Sequence, residues 1–150
     1  MHTKTRNAHL TPRFRMRGVT LIELLIVIVV IGILASIAVP SYRNYVMRAQ
    51  RTDAMSALLR VAAAQEKFYL QNNTYADNDA LADAPPAGLG ISSTENGWYD
   101  LAITSDDLTR EFTVTATPVA GGAQAADTHC ASFSLTSAGA KSATNSDCWR

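Results

Sequence analysis

The sequence lacks the short motifs that mark the common enzyme classes. Its 150 residues contain no G-x-S-x-G nucleophile elbow and no glycine-rich loop that could cradle a phosphate. There are only two cysteines, and aromatic residues make up 7% of the chain. His129 directly precedes Cys130, but adjacent residues of a strand point to opposite faces, so this pair does not predict a nucleophile with its base. We therefore predict no catalytic residue, no cofactor and no enzymatic activity.

Net charge is also absent, because 13 basic side chains balance 13 acidic ones. The balance hides a division along the chain. Residues 1–60 hold nine basic and two acidic side chains, whereas residues 61–150 hold four basic and eleven acidic ones. The two parts of the chain are therefore expected to have different electrostatic roles.

The strongest hydrophobicity is concentrated in one run, residues 19–39, which ends at Pro40. As a helix these residues would span about 31 Å, close to the thickness of a bilayer core. Residues 1–18 carry five basic side chains and no acid, which predicts a single membrane pass with a cytoplasmic N-terminus. A secretory signal peptide cleaved near residues 35–38 is the alternative, but the run is long for one and contains an acid.

That acid is Glu23, and it is the most informative residue of the chain. A carboxylate in lipid costs on the order of 3 kcal/mol and usually marks function. One interpretation places Glu23 near the headgroups, where water partly solvates its charge. The other expects Glu23 to meet a positive charge only when subunits assemble. Cleavage after Gly18 would create such a charge, the α-amino group of Val19, on a neighbouring chain.

These residues resemble the class III signal of type IV pilins: a basic leader, Gly18, an apolar residue, then Thr-Leu-Ile-Glu and an unbroken apolar helix. The resemblance implies that a prepilin peptidase cuts between Gly18 and Val19 on the cytoplasmic side and methylates Val19. It implies that Glu23 acts in subunit assembly. It also places the subunit in the bacterial inner membrane before assembly and in the extracellular pilus afterwards. The chain departs from the family in having Val19 where phenylalanine is usual.

The helix is expected to continue to about Asn72. No glycine or proline interrupts residues 41–72, and their apolar positions recur at helical spacing, which predicts a stripe packed against a globular domain. Pro40 has no backbone N–H to donate, and Gly32 is a second weak point. We therefore predict a kink in the stretch from Gly32 to Pro40, which bends or melts when the subunit enters a filament.

After Asn73 the composition changes, because proline, glycine and small polar residues become frequent. This change predicts a loop, which is followed by a small sheet. Runs 98–104, 111–118 and 130–136 alternate between apolar and polar residues, which indicates antiparallel strands with one face on the helix. The fold class is therefore α+β. The resemblance implies the type IV pilin fold, in which a long kinked N-terminal helix packs on a small antiparallel sheet with a C-terminal disulfide-closed loop.

The expected division of the chain has three parts. It comprises a cleaved leader 1–18, a transmembrane or filament-core helix half 19–40, and a globular domain 41–150 made of helix half 41–72, loop 73–97, and the sheet with the C-terminal loop 98–150.

Cys130 and Cys148 are expected to form a disulfide, because a segment typical of export precedes them. The pilin resemblance implies the same disulfide, which closes the C-terminal loop. Within the family, the stretch Gln-Glu-Lys-Phe-Tyr at 65–69 and Asp-Cys-Trp at 147–149 look most like PilE-type minor pilins.

The resemblance implies a structural subunit of a type IV pilus, a minor pilin that is incorporated into the filament or primes it. It would support pilus biogenesis, twitching motility and adhesion, with prepilin peptidase and other major and minor pilins as partners. Two alternatives stay open. One is a type II secretion pseudopilin, which binds calcium near its C-terminus, and the other is a DNA-uptake receptor pilin.

Neither alternative has strong support in the residues. Two acidic clusters lack an ordered calcium-ligand spacing, so we predict no metal site. They consist of Asp77, Asp79 and Asp83, and of Asp100, Asp106 and Asp107. Binding of DNA is open but unsupported, because the domain is acidic and only a patch of Arg110, Lys141 and Arg150 could favour it.

Overall fold

A computed structural model describes residues 18–149 of the chain. Its main element is one long helix, α1, which spans Leu21–Asn72 and contains Pro40. The chain divides after Pro40 into a helical unit and a second unit that carries the sheet. The leader predicted at 1–18 lies, except for Gly18, outside the described residues.

Both ends of α1 have local causes. The helix begins at Leu21, two residues later than predicted, because Thr20 acts as its N-cap: the Thr20 Oγ1 atom accepts the Glu23 N–H at 3.2 Å. At the other end, Asn73 has a φ of 54°, and its N–H donates to the Tyr69 carbonyl at 2.8 Å. Asparagine tolerates this left-handed conformation better than most residues, and it ends the helix where the sequence predicted.

The sheet has four antiparallel strands in the order β1-β2-β3-β4. The strands are β1 Tyr99–Thr104, β2 Thr113–Pro118, β3 Phe133–Thr136 and β4 Lys141–Ala143. Two short 3-10 helices, Asp79–Leu81 and Ala123–Ala126, lie in the connections. The predicted α+β class is confirmed, with a long N-terminal helix, an antiparallel sheet and a C-terminal disulfide.

The alternation in the strands has the predicted result. On β2, Val114 and Ala116 are fully buried, whereas Thr113 and Thr115 are half-buried and Thr117 is exposed. The buried face packs with Tyr99, Phe133 and Leu135 against the apolar stripe of α1. That stripe consists of Ala54, Ala57, Leu58, Val61 and Gln65.

The predicted set of three strands was incomplete. Strand β4, Lys-Ser-Ala, is an exposed edge strand with no apolar alternation, so periodicity gave no signal for it. Its pairing with β3 follows from a tight connection in which Gly139 has a φ of 78°. The third predicted run also began too early, because Cys130 and the residues after it precede β3.

Loop 73–97 is held to the helix by specific bonds. The Gln65 side chain is fully buried, and its amide both donates to the Ala76 carbonyl and accepts the Ala76 N–H, each at 2.8 Å. Further along, Gly88 lies so close to the Ala80 carbonyl that an added Cβ would clash with its oxygen. The loop is therefore a packed part of the second unit.

Candidate assembly interface

The start of α1 brings together the residues predicted for processing and assembly. Gly18 and Val19 precede the helix and are exposed, and Glu23 lies in its first turn. A carboxylate there is favoured by the helix dipole, and the sequence Thr20-x-x-Glu23 is that of a capping box. The Thr20 hydroxyl thus caps the helix through the Glu23 backbone N–H, separately from the predicted pairing of the Glu23 carboxylate with a neighbouring chain.

The apolar half of α1 has no protein cover within the described residues. Its helix contains a window with mean hydropathy 3.0, none of it buried, which is long and apolar enough to cross a membrane. Exposure ranges from 82% for Leu21 to 45% for Leu25, and every large apolar side chain from Val19 to Val39 is exposed. Such a surface requires lipid or other apolar helices around it.

Gly32 and Pro40 both lie inside α1. A Cβ added at Gly32 would meet no atom of the described residues within 4 Å, so no contact among them requires a glycine there. The kink expected between the two residues stays a prediction.

In the second unit, a cleft of about 630 Å³ lies between residues 44–51 of α1 and the C-terminal region. Its lining consists of Asn44, Met47, Arg48, Arg51, Ala126, Asp127, Thr128, His129 and Asp147. Arg51 and Asp127 form a bidentate ion pair at 2.6 and 2.9 Å, with 15% and 3% of their side chains exposed. The hydrogen bond to Asp127 raises the pKa of Arg51.

Asp127 also organises the chain around it. It accepts the Gln124 amide at 3.0 Å and the Cys130 N–H at 3.3 Å. The same Gln124 amide donates to the Met47 carbonyl of α1 at 3.2 Å. The segment before the disulfide is therefore attached to the helix by charged and polar bonds as well as by packing.

Three buried side-chain oxygens near this network have no hydrogen-bond partner among the described residues: Asp53 Oδ2, Tyr99 Oη and Gln124 Oε1. Burial raises the pKa of Tyr99 to about 12, and the nearby Gln124 amide partly offsets that increase. The other Asp53 oxygen accepts the backbone and side-chain N–H groups of Asn96, at 3.3 and 3.0 Å.

The predicted disulfide between Cys130 and Cys148 is present, with a Cα–Cα distance of 5.7 Å. Beside it, His129 Nε2 lies 3.1 Å from an Asp147 carboxylate oxygen. His129 and the two sulfurs form the one cluster with metal-ligand geometry in the described part of the chain, but both sulfurs are committed to the disulfide. Since Cys130 has no free thiol, this cluster offers neither a nucleophile nor a thiolate ligand.

The loop acids that suggested calcium make local bonds. Asp77 Oδ1 accepts the Ala80 N–H at 2.9 Å, and Asp107 Oδ1 accepts the Thr109 N–H and hydroxyl at 3.0 and 2.6 Å. These bonds from Thr109 lower the pKa of Asp107. Both acids therefore already serve as turn acceptors.

Two of the basic residues considered for DNA binding also have partners within the chain. Arg110 lies 3.7 Å from Asp107, and the Lys141 ammonium lies 5.3 Å from the centre of the Trp149 ring. Arg150 lies outside the described residues.

Sequence reasoning missed the pair of Arg51 and Asp127. No local pattern in the sequence joins these two residues, which are 76 positions apart. One signal was available: Asp127 is the only acid between Glu111 and Asp147. An isolated acid in an apolar and small-residue stretch indicates a buried partner.

Comparison with known proteins agrees with the geometry of the chain. Residues 13–39 match the sequence model of the prokaryotic N-terminal methylation motif. Residues 40–134 match the model described as type IV minor pilin ComP, DNA uptake sequence receptor. The two matches meet at Pro40, where the two units of the structure meet.

Individual relatives point the same way. The fimbrial protein EcpC of Eikenella corrodens is 36% identical over 101 residues, covering 67% of this chain and 61% of the relative. The type IV major pilin protein PilE1 of Neisseria gonorrhoeae is 35% identical over 102 residues, 64% of this chain and 48% of the relative. The aligned region thus spans about half to three fifths of these relatives' length.

Among solved structures, a type IV pilin from Shewanella oneidensis shares 24% identity and a TM-score of 0.49, covering 69% of this chain and 98% of that one. The assignment rests on the sequence matches, which together extend over residues 13–134. By these matches the chain belongs to the type IV pilin family, in the group described by the ComP minor pilin model.

Proposed function

We propose that this chain is a structural, non-enzymatic subunit of a type IV pilus, a minor pilin that is incorporated into the filament or primes it. The uncovered apolar half of α1, with a carboxylate in its first turn, is the observation that carries the proposal. Lipid covers this surface before assembly, and the helices of neighbouring pilins cover it afterwards. The subunit thereby supports pilus biogenesis, twitching motility and adhesion.

Processing comes first in this proposal. Prepilin peptidase removes the leader between Gly18 and Val19 and methylates the new amine, while the chain spans the inner membrane with its N-terminus in the cytoplasm. Glu23 then neutralises the Val19 amine of a neighbouring subunit. The approach of opposite charges in an apolar surrounding favours the assembled state over the membrane state, because an unpaired charge is costly there.

The test separates processing from assembly. We expect E23A to insert and lose its leader normally but to be strongly depleted from sheared filaments, because the neighbour's amine loses its partner. The matched control is E95A, which removes an exposed loop acid of the second unit and should be incorporated normally. Normal incorporation of E23A would contradict the charge pairing.

A second variant addresses the cleavage site. A Cβ at Gly18 meets no atom of the described residues within 4 Å, so we expect G18V to leave the described fold unchanged. We expect it to accumulate with its leader attached, because the side chain interferes only at the peptidase. Mass spectrometry of the membrane fraction checks this, and efficient cleavage of G18V would show that the site lies elsewhere.

A DNA-uptake receptor is the second candidate, favoured by the match of residues 40–134 to the ComP model, whose description names that role. Residues 41–150 hold eight basic and twelve acidic side chains, a net charge of −4, which opposes phosphate binding. Gel-shift titration of the full chain in detergent with duplex DNA tests the receptor role, which a minor pilin could combine with its place in the filament. Specific binding at 150 mM salt supports the receptor, and no shift removes it.

A further inference from the structure

The first turns of α1 in the second unit differ in charge from everything that follows them. Residues 41–52 contain three arginines and no acid, a net charge of +3, whereas residues 53–150 contain five basic and twelve acidic side chains, a net charge of −7. No acid occurs between Glu23 and Asp53. An excess of positive charge is therefore confined, in the second unit, to the segment that directly follows the apolar run ending at Val39.

Two of these three arginines can contact a partner outside the chain. Arg43 and Arg48 are exposed and make no hydrogen bond or ion pair within the described residues, whereas Arg51 is held by Asp127. Both acids of the cleft beside Arg48 already face a cation of their own within the chain. The charges of Arg43 and Arg48 are therefore available on the surface of the helix.

The five tyrosines of the chain divide at the same place. Tyr69 and Tyr75 contact each other, with 4.6 Å between their ring centres, and Tyr99 is fully buried. Tyr42 and Tyr45 are instead 68% and 71% exposed, and neither makes a ring contact or a hydroxyl hydrogen bond among the described residues. Tyrosine is enriched where a membrane meets water, because its ring is apolar and its hydroxyl is polar.

Helix geometry gives this segment the dimensions of a headgroup layer. Tyr42 and Arg48 are separated by about 9 Å of helix at 1.5 Å per residue. The headgroup region adds roughly 5–8 Å on each side of the apolar core of a bilayer. Side chains of a helix lean towards its N-terminus, and a long arginine extends its charge further in that direction. Arg48 therefore reaches back towards the start of the segment, where Arg43 lies.

We propose that Arg43 and Arg48 bind the phosphate groups of anionic phospholipids in the outer leaflet, with the two exposed tyrosines beside them in the headgroup layer. Arginine suits this partner because its guanidinium donates two parallel hydrogen bonds to a phosphate. The contact also offsets the repulsion between an anionic membrane surface and the acidic residues 53–150. It rests on the proposed function, which places the apolar run in lipid before assembly, and it concerns that membrane form of the subunit.

A comparison of lipid preference among three chains tests the contact. The unaltered full chain, R43Q/R48Q and R60Q/K67Q are each reconstituted into nanodiscs with equal amounts of phosphatidylglycerol and phosphatidylcholine, and native mass spectrometry counts the lipids of each kind that stay bound. R60Q/K67Q is the matched control, because it removes the same charge from exposed positions of the same helix. Arg60 lies about 18 Å of helix beyond Arg48, more than the screening length at physiological salt. The leader is present in all three chains, so its basic residues do not affect the comparison.

We expect the unaltered chain and R60Q/K67Q to retain phosphatidylglycerol preferentially, and R43Q/R48Q to lose that preference by about fivefold for each arginine removed. An equal loss in both variants would show that only net charge matters, and an unchanged preference in R43Q/R48Q would show that its arginines meet another partner; either result overturns the proposal. If alkaline carbonate washes the chain from vesicles, the membrane span fails, and the proposed function and this contact fail with it. An inserted chain without the preference overturns the contact alone.

A spin label tests the depth of the same segment. Both cysteines of the chain are in the disulfide, so an added cysteine is the only thiol that a nitroxide reagent can modify. N44C places the label between the two exposed tyrosines, and L70C, at another exposed position of α1, is the control. In vesicles of phosphatidylglycerol we expect the label at position 44 to be shielded from a water-soluble nickel complex and the label at position 70 to be accessible to it. Equal accessibility at the two positions overturns the proposal.

Discussion

The bond between Arg51 and Asp127 shows how much one pair of residues holds in place. Asp127 is almost completely buried and accepts bonds from Arg51, Gln124 and the Cys130 backbone. These partners come from α1, from a 3-10 helix and from the disulfide region. A buried carboxylate with this many donors is costly to remove, because its partners keep their desolvation cost without their acceptor.

We therefore expect D127A to lower the free energy of unfolding by about 2–3 kcal/mol, because it removes the acceptor of the half-buried Arg51 guanidinium, of the Gln124 amide and of the Cys130 N–H. Urea unfolding of the full chain in detergent, followed by near-UV circular dichroism, measures the change. D100A, which removes an exposed acid on β1, is the control and should change stability by less than about 0.5 kcal/mol. The apolar pair R51M/D127L should recover most of the loss, and failure to do so would assign it to packing.

The raised pKa of Tyr99 predicts how the free energy of unfolding changes at alkaline pH. Burial raises its pKa to about 12, so the folded chain keeps the phenolic proton after the unfolded chain, with a pKa near 10, has lost it. The stability that depends on a neutral Tyr99 is fully present below pH 10 and is lost as the pH rises towards 12. By linkage, stability falls by about 1.4 kcal/mol at pH 11 from this group.

Y99F isolates that effect. Between pH 9 and 11, the unfolding free energy of Y99F should fall less than that of the unaltered chain, because phenylalanine has no phenolic proton to lose. The remaining fall is common to both chains, since the other tyrosines are present in both. At pH 7 the variant should be as stable or more stable, since the hydroxyl it removes is buried without a hydrogen-bond partner in the described structure. Equal pH profiles for the two chains would show that Tyr99 ionises as readily when folded as when unfolded.

At the scale of elements, the disulfide holds in place the two shortest strands of the sheet, which bury few apolar side chains of their own. Cys130 and Cys148 are 18 residues apart and enclose β3 and β4, of four and three residues. The apolar contribution of β3 comes from Phe133 and Leu135, and β4 adds no fully buried side chain. A cross-link is therefore needed to hold this segment against the sheet.

We expect C130S/C148S to be less stable by about 3 kcal/mol, the chain-entropy value for a loop of this length. Strands β3 and β4 should exchange their amide protons faster than β1 and β2, which hydrogen exchange with mass spectrometry detects. Uniform loss of protection across all four strands would instead show that the disulfide stabilises the sheet as one cooperative unit. C130S and C148S singly should match the double variant, because either change removes the bond.

The elements that the sequence predicted are those with a local period. The apolar stripe of α1 and the alternation on β2 repeat every few residues, so burial on one side is visible in the order of residues. The end of the helix at Asn72 was also predictable from the local sequence, because the composition changes after Asn73. By contrast, β4 is defined by its pairing with β3, and Asp127 by a partner 76 residues away. Such features depend on the completed fold, which no short window contains.

At the scale of the whole molecule, the two structural units differ in net charge, which is +4 for residues 1–40 and −4 for residues 41–150. The basic leader and the apolar half of α1 precede Pro40, and the acidic sheet-bearing unit follows it. Removal of residues 1–18 takes away five basic side chains and no acid, so the remaining 132 residues carry a net charge of −5. Under the proposed cleavage after Gly18, the leader charge would act only during insertion, where basic residues favour the cytoplasmic side.

With the proposed topology, the disulfide reports on insertion, because cysteines exported from the cytoplasm pair, whereas cysteines kept inside it stay reduced. We expect R15E/R17E to leave a fraction of chains inverted, with both thiols open to a thiol-reactive reagent after the membranes are solubilised. The matched control R43E/R48E reverses two charges beyond the opposite end of the apolar run. It strengthens the charge difference, so its cysteines should remain unlabelled. Equal labelling of the two variants would show that charge on the leader does not set the orientation.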